Sequence, residues 1–292
     1  MAPAASLGAT EYAIVTDSGC DLPAEFLEKL GVTCVELRVQ GEAGNEQVLP
    51  PTPEELAGVY RALAEDGAEA VLSLHSSSVL SDAAGAATLA ADMVDVPVRV
   101  VDTGCVSVAL GIVVDCAACC RNAGGTLEDA LSAVASVADQ TSILFIPAPS
   151  ALPESLHGLG RAKGLLAHAA SIRQRLSGER RLISIRRGER PEELFRHVDL
   201  ADLTGRAVRA VSIASQAAGP VYYAVVDVHS GSLLHKLEKP LDTNEFEHHK
   251  LGVVSAGAAT IASAGEGAIA IAYVPQAVYD AAATFDDKGT TR

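Results

Sequence analysis

Residues 71–87 read VLSLHSSSVLSDAAGAA. A short apolar run, Val71 to Leu74, leads through His75 into three serines and Val79-Leu80-Ser81, and small residues then open a helix. Apolar runs of this length, followed by a polar turn and a helix, mark a buried parallel strand and its βα loop. Such a loop gathers hydroxyls and backbone N–H groups at a helix N-terminus, where negative charge is favourable. Two readings of Ser77, Ser78 and Ser81 follow. They cap the helix, or they hold a ligand.

The stretches on either side repeat the pattern. Residues 12–15 (YAIV) form a strand and Thr16-Asp17-Ser18-Gly19 a polar loop. A helix then has Asp21 as its N-cap, Pro23 at its first position and Glu25 in its first turn, and it ends at Gly31. Residues 32–39 are the next strand, which makes a right-handed βαβ unit. Residues 40–53, with two glycines and three prolines, are a loop. Thr52 and Glu55 then form a capping box for a helix that runs to about Asp66. After the serine loop come a helix over 82–94, a strand over 98–102, a third loop (Thr103 to Ser107) and a helix over 106–122. Thr126 caps a helix over 127–139. Strands alternating with helices predict a doubly wound, mostly parallel α/β domain over residues 1–140. All three hydroxyl-bearing loops fall on the carboxyl edge of its sheet, where such folds collect ligands.

Residues 141–292 predict a second α/β domain. Strands are expected at 142–146, 182–186, 221–228 and 268–274, and helices at 154–170 and 192–203. His248 and His249 are read as a charged turn, and residues 285–292 as a polar tail. Seven arginines lie between 173 and 190. They read either as a solvated hairpin or as a basic surface for an anionic head group.

The net charge is −15. Residues 1–140 carry 5 Lys+Arg against 21 Asp+Glu, and the remainder 17 against 16. So acidic a first half argues against nucleic-acid binding. No uninterrupted apolar stretch is long enough to span a membrane, and the N-terminus lacks the basic start of a signal peptide. A cytoplasmic protein is expected. The six cysteines then read as small buried hydrophobes, and no metal or cofactor is expected. No G-x-G-x-x-G, Walker lysine or G-x-S-x-G elbow is present. His75 reads as a hydrogen-bonded strand-end histidine. Asp17 between two hydroxyls admits a phosphotransferase reading, but an Asx turn is the commoner use of that pattern.

The motif order resembles the DegV family of two-domain α/β lipid-binding proteins. The matching residues are Thr16-Asp17-Ser18 with Asp21-Leu22-Pro23, Ser77-Ser78-Val79-Leu80-Ser81, Val101-Asp102-Thr103, Ser107, Gly111, Gly160-Arg161 and Gly265-x-Gly267. The resemblance implies non-catalytic binding of one long-chain fatty acid or related lipid in a slot between two domains. It also implies presentation of that ligand to a fatty acid kinase. It places Ser77, Ser78, Ser81, Arg161, Ser263, Thr16 and Ser18 at the ligand. Three positions depart from the family pattern. Val48 stands where the family has a carboxylate-holding threonine, Asp82-Ala83 where it has Gly-Thr, and Ser263 where it has a histidine, with Glu266 close by. Two of these changes bring in acids, which disfavour an anionic head group. The alternative is therefore a member that has lost its ligand and acts as a scaffold or regulator.

Overall fold

The computed structural model describes residues 12–42, 46–149, 151, 178–243 and 246–284. In chain order the first part comprises β1 (Tyr12–Asp17), α1 (Ala24–Leu30), β2 (Val32–Val35), β3 (Arg38–Gln40), β4 (Gln47–Leu49), α2 (Pro53–Glu65), β5 (Ala70–His75), α3 (Ala83–Ala91), β6 (Val98–Asp102), α4 (Val108–Asn122) and α5 (Leu127–Gln140). The second comprises β7 (Ser142–Ile146), β8 (Arg180–Arg186), β9 (Glu192–His197), α6 (Leu200–Ala218), β10 (Val221–Asp227), α7 (Gly231–Thr243), β11 (His248–Ser255), α8 (Ala258–Ala264), β12 (Ile269–Pro275) and α9 (Gln276–Ala283).

The first sheet runs β2-β1-β5-β6 and is parallel throughout. Both of its faces are buried, because successive side chains on a strand alternate. Ile14, Leu72 and Leu74 pack with Leu27 of α1 and the apolar residues of α4. Val15 and Val71 pack with α2 (Leu56, Ala57, Tyr60) and α3 (Ala86, Ala87, Ala90). The sheet is therefore doubly wound, as expected. Its strand order reverses between β1 and β5, and this switch point brings the Thr16–Gly19 and serine loops side by side.

The second sheet runs β11-β10-β12-β7-β8-β9, with β10 and β11 parallel and the other pairs antiparallel. Leu144, Ile146, Val225, Ile269 and Ile271 face α6 and α7. The alternate residues Ile143, Phe145, Val226, Ala270 and Ala272 face inward onto α4. A helix that is apolar all round is a buried helix, and twelve of the fifteen residues of α4 are buried. This accounts for the apolar, cysteine-rich run in the sequence: Cys116 and Cys120 are packing groups between two sheets.

Several elements differ from expectation. The strand expected over 32–39 breaks after Val35. The Leu37 N–H turns to Ser18 Oγ at 2.9 Å, and β3 pairs antiparallel with β4, which falls inside the stretch read as loop. Residues 192–197 are strand, not helix, because β9 pairs with β8; α6 begins only at Leu200, capped by Asp199. His248 and His249 open β11 instead of a turn. Asp21 does not cap α1, since it sits in the left-handed region at φ 54° and the helix starts at Ala24 behind Pro23. The helix expected at 154–170 and the tail 285–292 lie outside the described residues. No helix among the described residues is long and apolar enough to cross a membrane.

Candidate functional site

The end of β1 sits on a buried polar chain. Asp17 is fully buried, and its Oδ2 accepts from the Ser76 N–H at 2.8 Å and meets His75 Nδ1 at 3.1 Å. Its Oδ1 accepts from the Gly19 N–H at 3.0 Å and from the Ser76 hydroxyl. His75 Nε2 lies 2.8 Å from Ser73 Oγ, which lies 2.8 Å from the Tyr60 hydroxyl. Gly19 has no substitute here, because a Cβ would fall 2.3 Å from Ser76 Oγ. Ser73, His75 and Asp17 have the connectivity of a hydrolase triad. However, Ser73 is fully buried and its hydroxyl is shared with Tyr60, so no substrate carbonyl reaches it. The chain is a satisfied core network that fixes the start of the serine loop. It gives His75 the structural role read from the sequence.

A second carboxylate joins the two sheets. Asp21 Oδ2 accepts from Ser107 Oγ at 2.5 Å and Thr260 Oγ1 at 2.7 Å, and its Oδ1 accepts from the Gly257 N–H at 2.7 Å. Burial pushes the Asp21 carboxyl up to about 6, against these three bonds, which favour the ionised form. Ser107 also has a left-handed φ of 54°. Two non-glycine residues in a costly backbone region therefore meet at one contact between the first-sheet loops and α8. Ser107 and Thr260 line a small cavity together with Val79, Leu80, Val106, Phe145, Ile185, Ser263 and Ala264. This is the junction where the serine loop, the third loop, the second sheet and α8 come together. Its volume is about 20 Å³, room for a single water.

The expected site residues are distributed unevenly around this junction. Ser81 is buried and its hydroxyl has no partner among the described residues, and the same holds for Thr16. Ser77 Oγ accepts from the Val79 N–H at 3.3 Å, a turn inside the loop. Ser78 is exposed, and its N–H reaches Asp102 Oδ2 at 3.4 Å. Neither hydroxyl caps α3, whose N-cap position is Asp82 and which has no side-chain cap bond. Ser18 is committed to Leu37. Ser263 lines the cavity, with its hydroxyl on the Ala259 carbonyl at 2.9 Å. Arg161 lies outside the described residues.

The positions that depart from the family pattern form a contact of their own. Ala83 packs with Leu37 and Ala259, and Val48 and Leu80 lie against them. The Asp82 carboxylate folds back over the first turn of α3, so close that a Cβ on Gly85 would sit 2.4 Å from its Oδ1. That carboxylate takes the place at the helix N-terminus where a bound anion would otherwise gain. Glu266 points elsewhere, to His229 Nδ1 at 3.0 Å. Of the basic run, Arg180 donates to the Gly267 carbonyl at 2.8 Å and Arg187 to Asp139 at 3.0 Å. Those two arginines fasten the β8–β9 hairpin to its neighbours.

Sequence reading alone missed Asp21, Ser107 and Thr260 as one unit. The signal was partial: Asp21 and Ser107 stand in hydroxyl- and acid-bearing loops, but their joint partner is more than 230 residues further along the chain from Asp21.

Comparison with known proteins adds a family to this geometry. Residues 40–161 match the family model described as "Uncharacterised protein, DegV family". The DegV domain-containing protein SCO2569 of Streptomyces coelicolor is 42% identical over 154 residues, which cover 46% of this chain and 55% of that protein. The matched stretch thus spans about half the length of that relative. The crystal structure of the DegV family protein Cg2579 from Corynebacterium glutamicum superposes with a TM-score of 0.76 at 22% identity, covering 91% of this chain and 97% of that one. A DegV family protein from Thermus thermophilus, described by its fatty acid binding, gives a TM-score of 0.76 at 23% identity over 90% of this chain and 99% of its own. Over residues 40–161 the chain thus matches the DegV family model, and over about nine-tenths of its length it shares the fold of these two DegV proteins.

Proposed function

We propose that the chain binds one long-chain fatty acid or related lipid at the junction of its two sheets and does not change it chemically. The observation that carries this reading is the buried Ser81 hydroxyl, without a partner among the described residues and next in the chain to Leu80 of the apolar junction. A buried hydroxyl left without a partner costs about 1–3 kcal/mol, and a lipid head group supplies the missing bond. Val79, Leu80, Val106, Phe145, Ile185 and Ala264 give the apolar wall. Each methylene buried there contributes roughly 0.8 kcal/mol, so the alkyl chain, not the head, dominates affinity. The fatty acid binding described for the Thermus thermophilus protein of the same fold supports this reading. Presentation of a bound acid to a fatty acid kinase belongs to it as the following step. Acyl phosphate made by such a kinase only when this protein is present would support that step.

A second reading has its own observation. The cavity of about 20 Å³ is more than tenfold below the roughly 300–1,000 Å³ of small-molecule sites. Val48 and Ala83 also pack with Leu37, Leu80 and Ala259 where polar head-group residues were expected. Both features suit a member that has lost its ligand and acts as a scaffold. Native mass spectrometry of gently purified protein separates the two. A bound mass of fatty-acid size, or uptake of added oleate, supports lipid binding. Protein that stays unliganded in the presence of oleate overturns it in favour of the scaffold.

A further inference from the structure

Two spaces of very different size meet at Asp21. On its outer side is a groove of about 810 Å³ between the first sheet's edge and the C-terminal end of β11. Leu22, Leu27 and Val32 line one wall, and Val253 and Val254 the other, with Asp21 and Gly257 also in the lining. On the inner side is the junction cavity of about 20 Å³, lined by Ser107 and Thr260. The same carboxylate bonds to both of those hydroxyls and to the Gly257 N–H. Asp21, in the lining of a groove of ligand size, is thus hydrogen-bonded to the two hydroxyls that line the closed junction.

We propose that the Asp21–Ser107–Thr260 clasp is the gate of the junction, and that the alkyl chain of a long-chain lipid passes from the outer groove into the junction when the clasp opens and the closed inner cavity widens around it. This rests on the lipid-binding reading above and deepens it. The occupant follows from the lining. Apolar side chains on both walls match an alkyl chain, while Asp21, Glu28 and Glu36 bring three acids and no base to the groove, which repels an anionic head. The backbone fits a moving part as well. Asp21 and Ser107 are both held at φ 54°, a conformation that persists only while surrounding contacts enforce it. Gly257 lets the backbone come close to the carboxylate, since a Cβ there would press on Asp21 Oδ1 at 3.1 Å.

Stopped-flow uptake of the fluorescent fatty acid cis-parinaric acid tests the gate. Two variants loosen the clasp without touching Asp21. Thr260→Val removes one donor and keeps the shape. Ser107→Gly removes the other and suits the left-handed backbone, so it does not depend on a strained substitution. Both are expected to raise the uptake and release rates together, by tenfold or more, with a much smaller change in Kd. If folded variants and wild type exchange the probe at equal rates, the gate is wrong and lipid binding stands. If the wild type takes up no probe and the variants do, the clasp is the barrier. If none of the proteins takes up probe, the gate falls together with the lipid-binding reading.

Discussion

Ser81 and Asp21 are both buried polar groups beside the junction, and each leads to a measurement. Ser81 holds a buried hydroxyl with no partner among the described residues, which the folded protein tolerates at a cost. Ser81→Ala is therefore expected to stabilise the unliganded protein by up to about 1 kcal/mol in urea unfolding while weakening oleate binding several-fold. A variant that is less stable and binds equally well would remove Ser81 from the site. Asp21 acts through its proton. Its carboxyl lies at about 6 in the fold against an ordinary value of 3.8. Between about pH 4 and pH 6 the folded state holds a proton that the unfolded chain has released, so this contribution is full below pH 4 and is lost as pH rises through 6. Burial lifts the carboxyl of Asp115, beside the Tyr279 hydroxyl, in the same direction. Unfolding free energies from urea titrations between pH 4 and pH 7 should fall, by at most about 3 kcal/mol for Asp21 alone. Asp21→Asn should flatten most of that slope, and an unchanged slope would mean that Asp21 titrates normally.

The helices and strands show which parts of the fold are written locally. Thr52 accepts from the Glu55 N–H at 3.2 Å while Glu55 accepts from the Thr52 N–H at 2.7 Å, the capping box read from residues three apart. Thr52→Ala should cost about 1 kcal/mol and lower Tm by roughly 2–4 °C for a chain of this size; an unchanged melt would mean that α2 is held by packing alone. Elements of this kind were legible because their causes lie within one turn. β9 was not legible. Glu192 and Glu193 resemble a helix start, yet Glu192–His197 pair with β8, and Arg206 of α6 stacks 3.4 Å above the Phe195 ring. Non-local pairing overrode local propensity there. The β3–β4 hairpin was hidden for a similar reason, since its corner is set by Ser18 from another loop. The site divides in the same way. The three hydroxyl loops at one sheet edge followed from strand and loop order, whereas the clasp required α8, whose Thr260 stands 239 residues from Asp21.

At the scale of the whole molecule, the question is whether two sheets make two folding units. We propose residues 1–140 and 141–292 as two domains that nevertheless unfold together. The reason is α4, buried between the sheets: Leu110, Val113 and Ala117 share one core with Ile14 and Leu72 of the first sheet and with Phe145, Val226 and Ala272 of the second. Neither sheet can shed α4 without exposing its own inner face, and apolar burial is the main favourable term in folding. Leu110→Ala, at a fully buried position, should cost about 2–5 kcal/mol. That cost should be paid by both sheets at once. Native-state hydrogen exchange would then show the amides of β1 and β12 losing protection by the same factor. Loss confined to β1 would mean that α4 belongs to the first domain alone and that the second stands without it. The shared core also bears on the junction. With the inner faces of both sheets anchored on one helix, opening between them cannot come from the sheets drifting apart as rigid bodies. It has to come from the loops that meet there, and of the contacts among them the three bonds on Asp21 are the ones that tie Ser107 to α8.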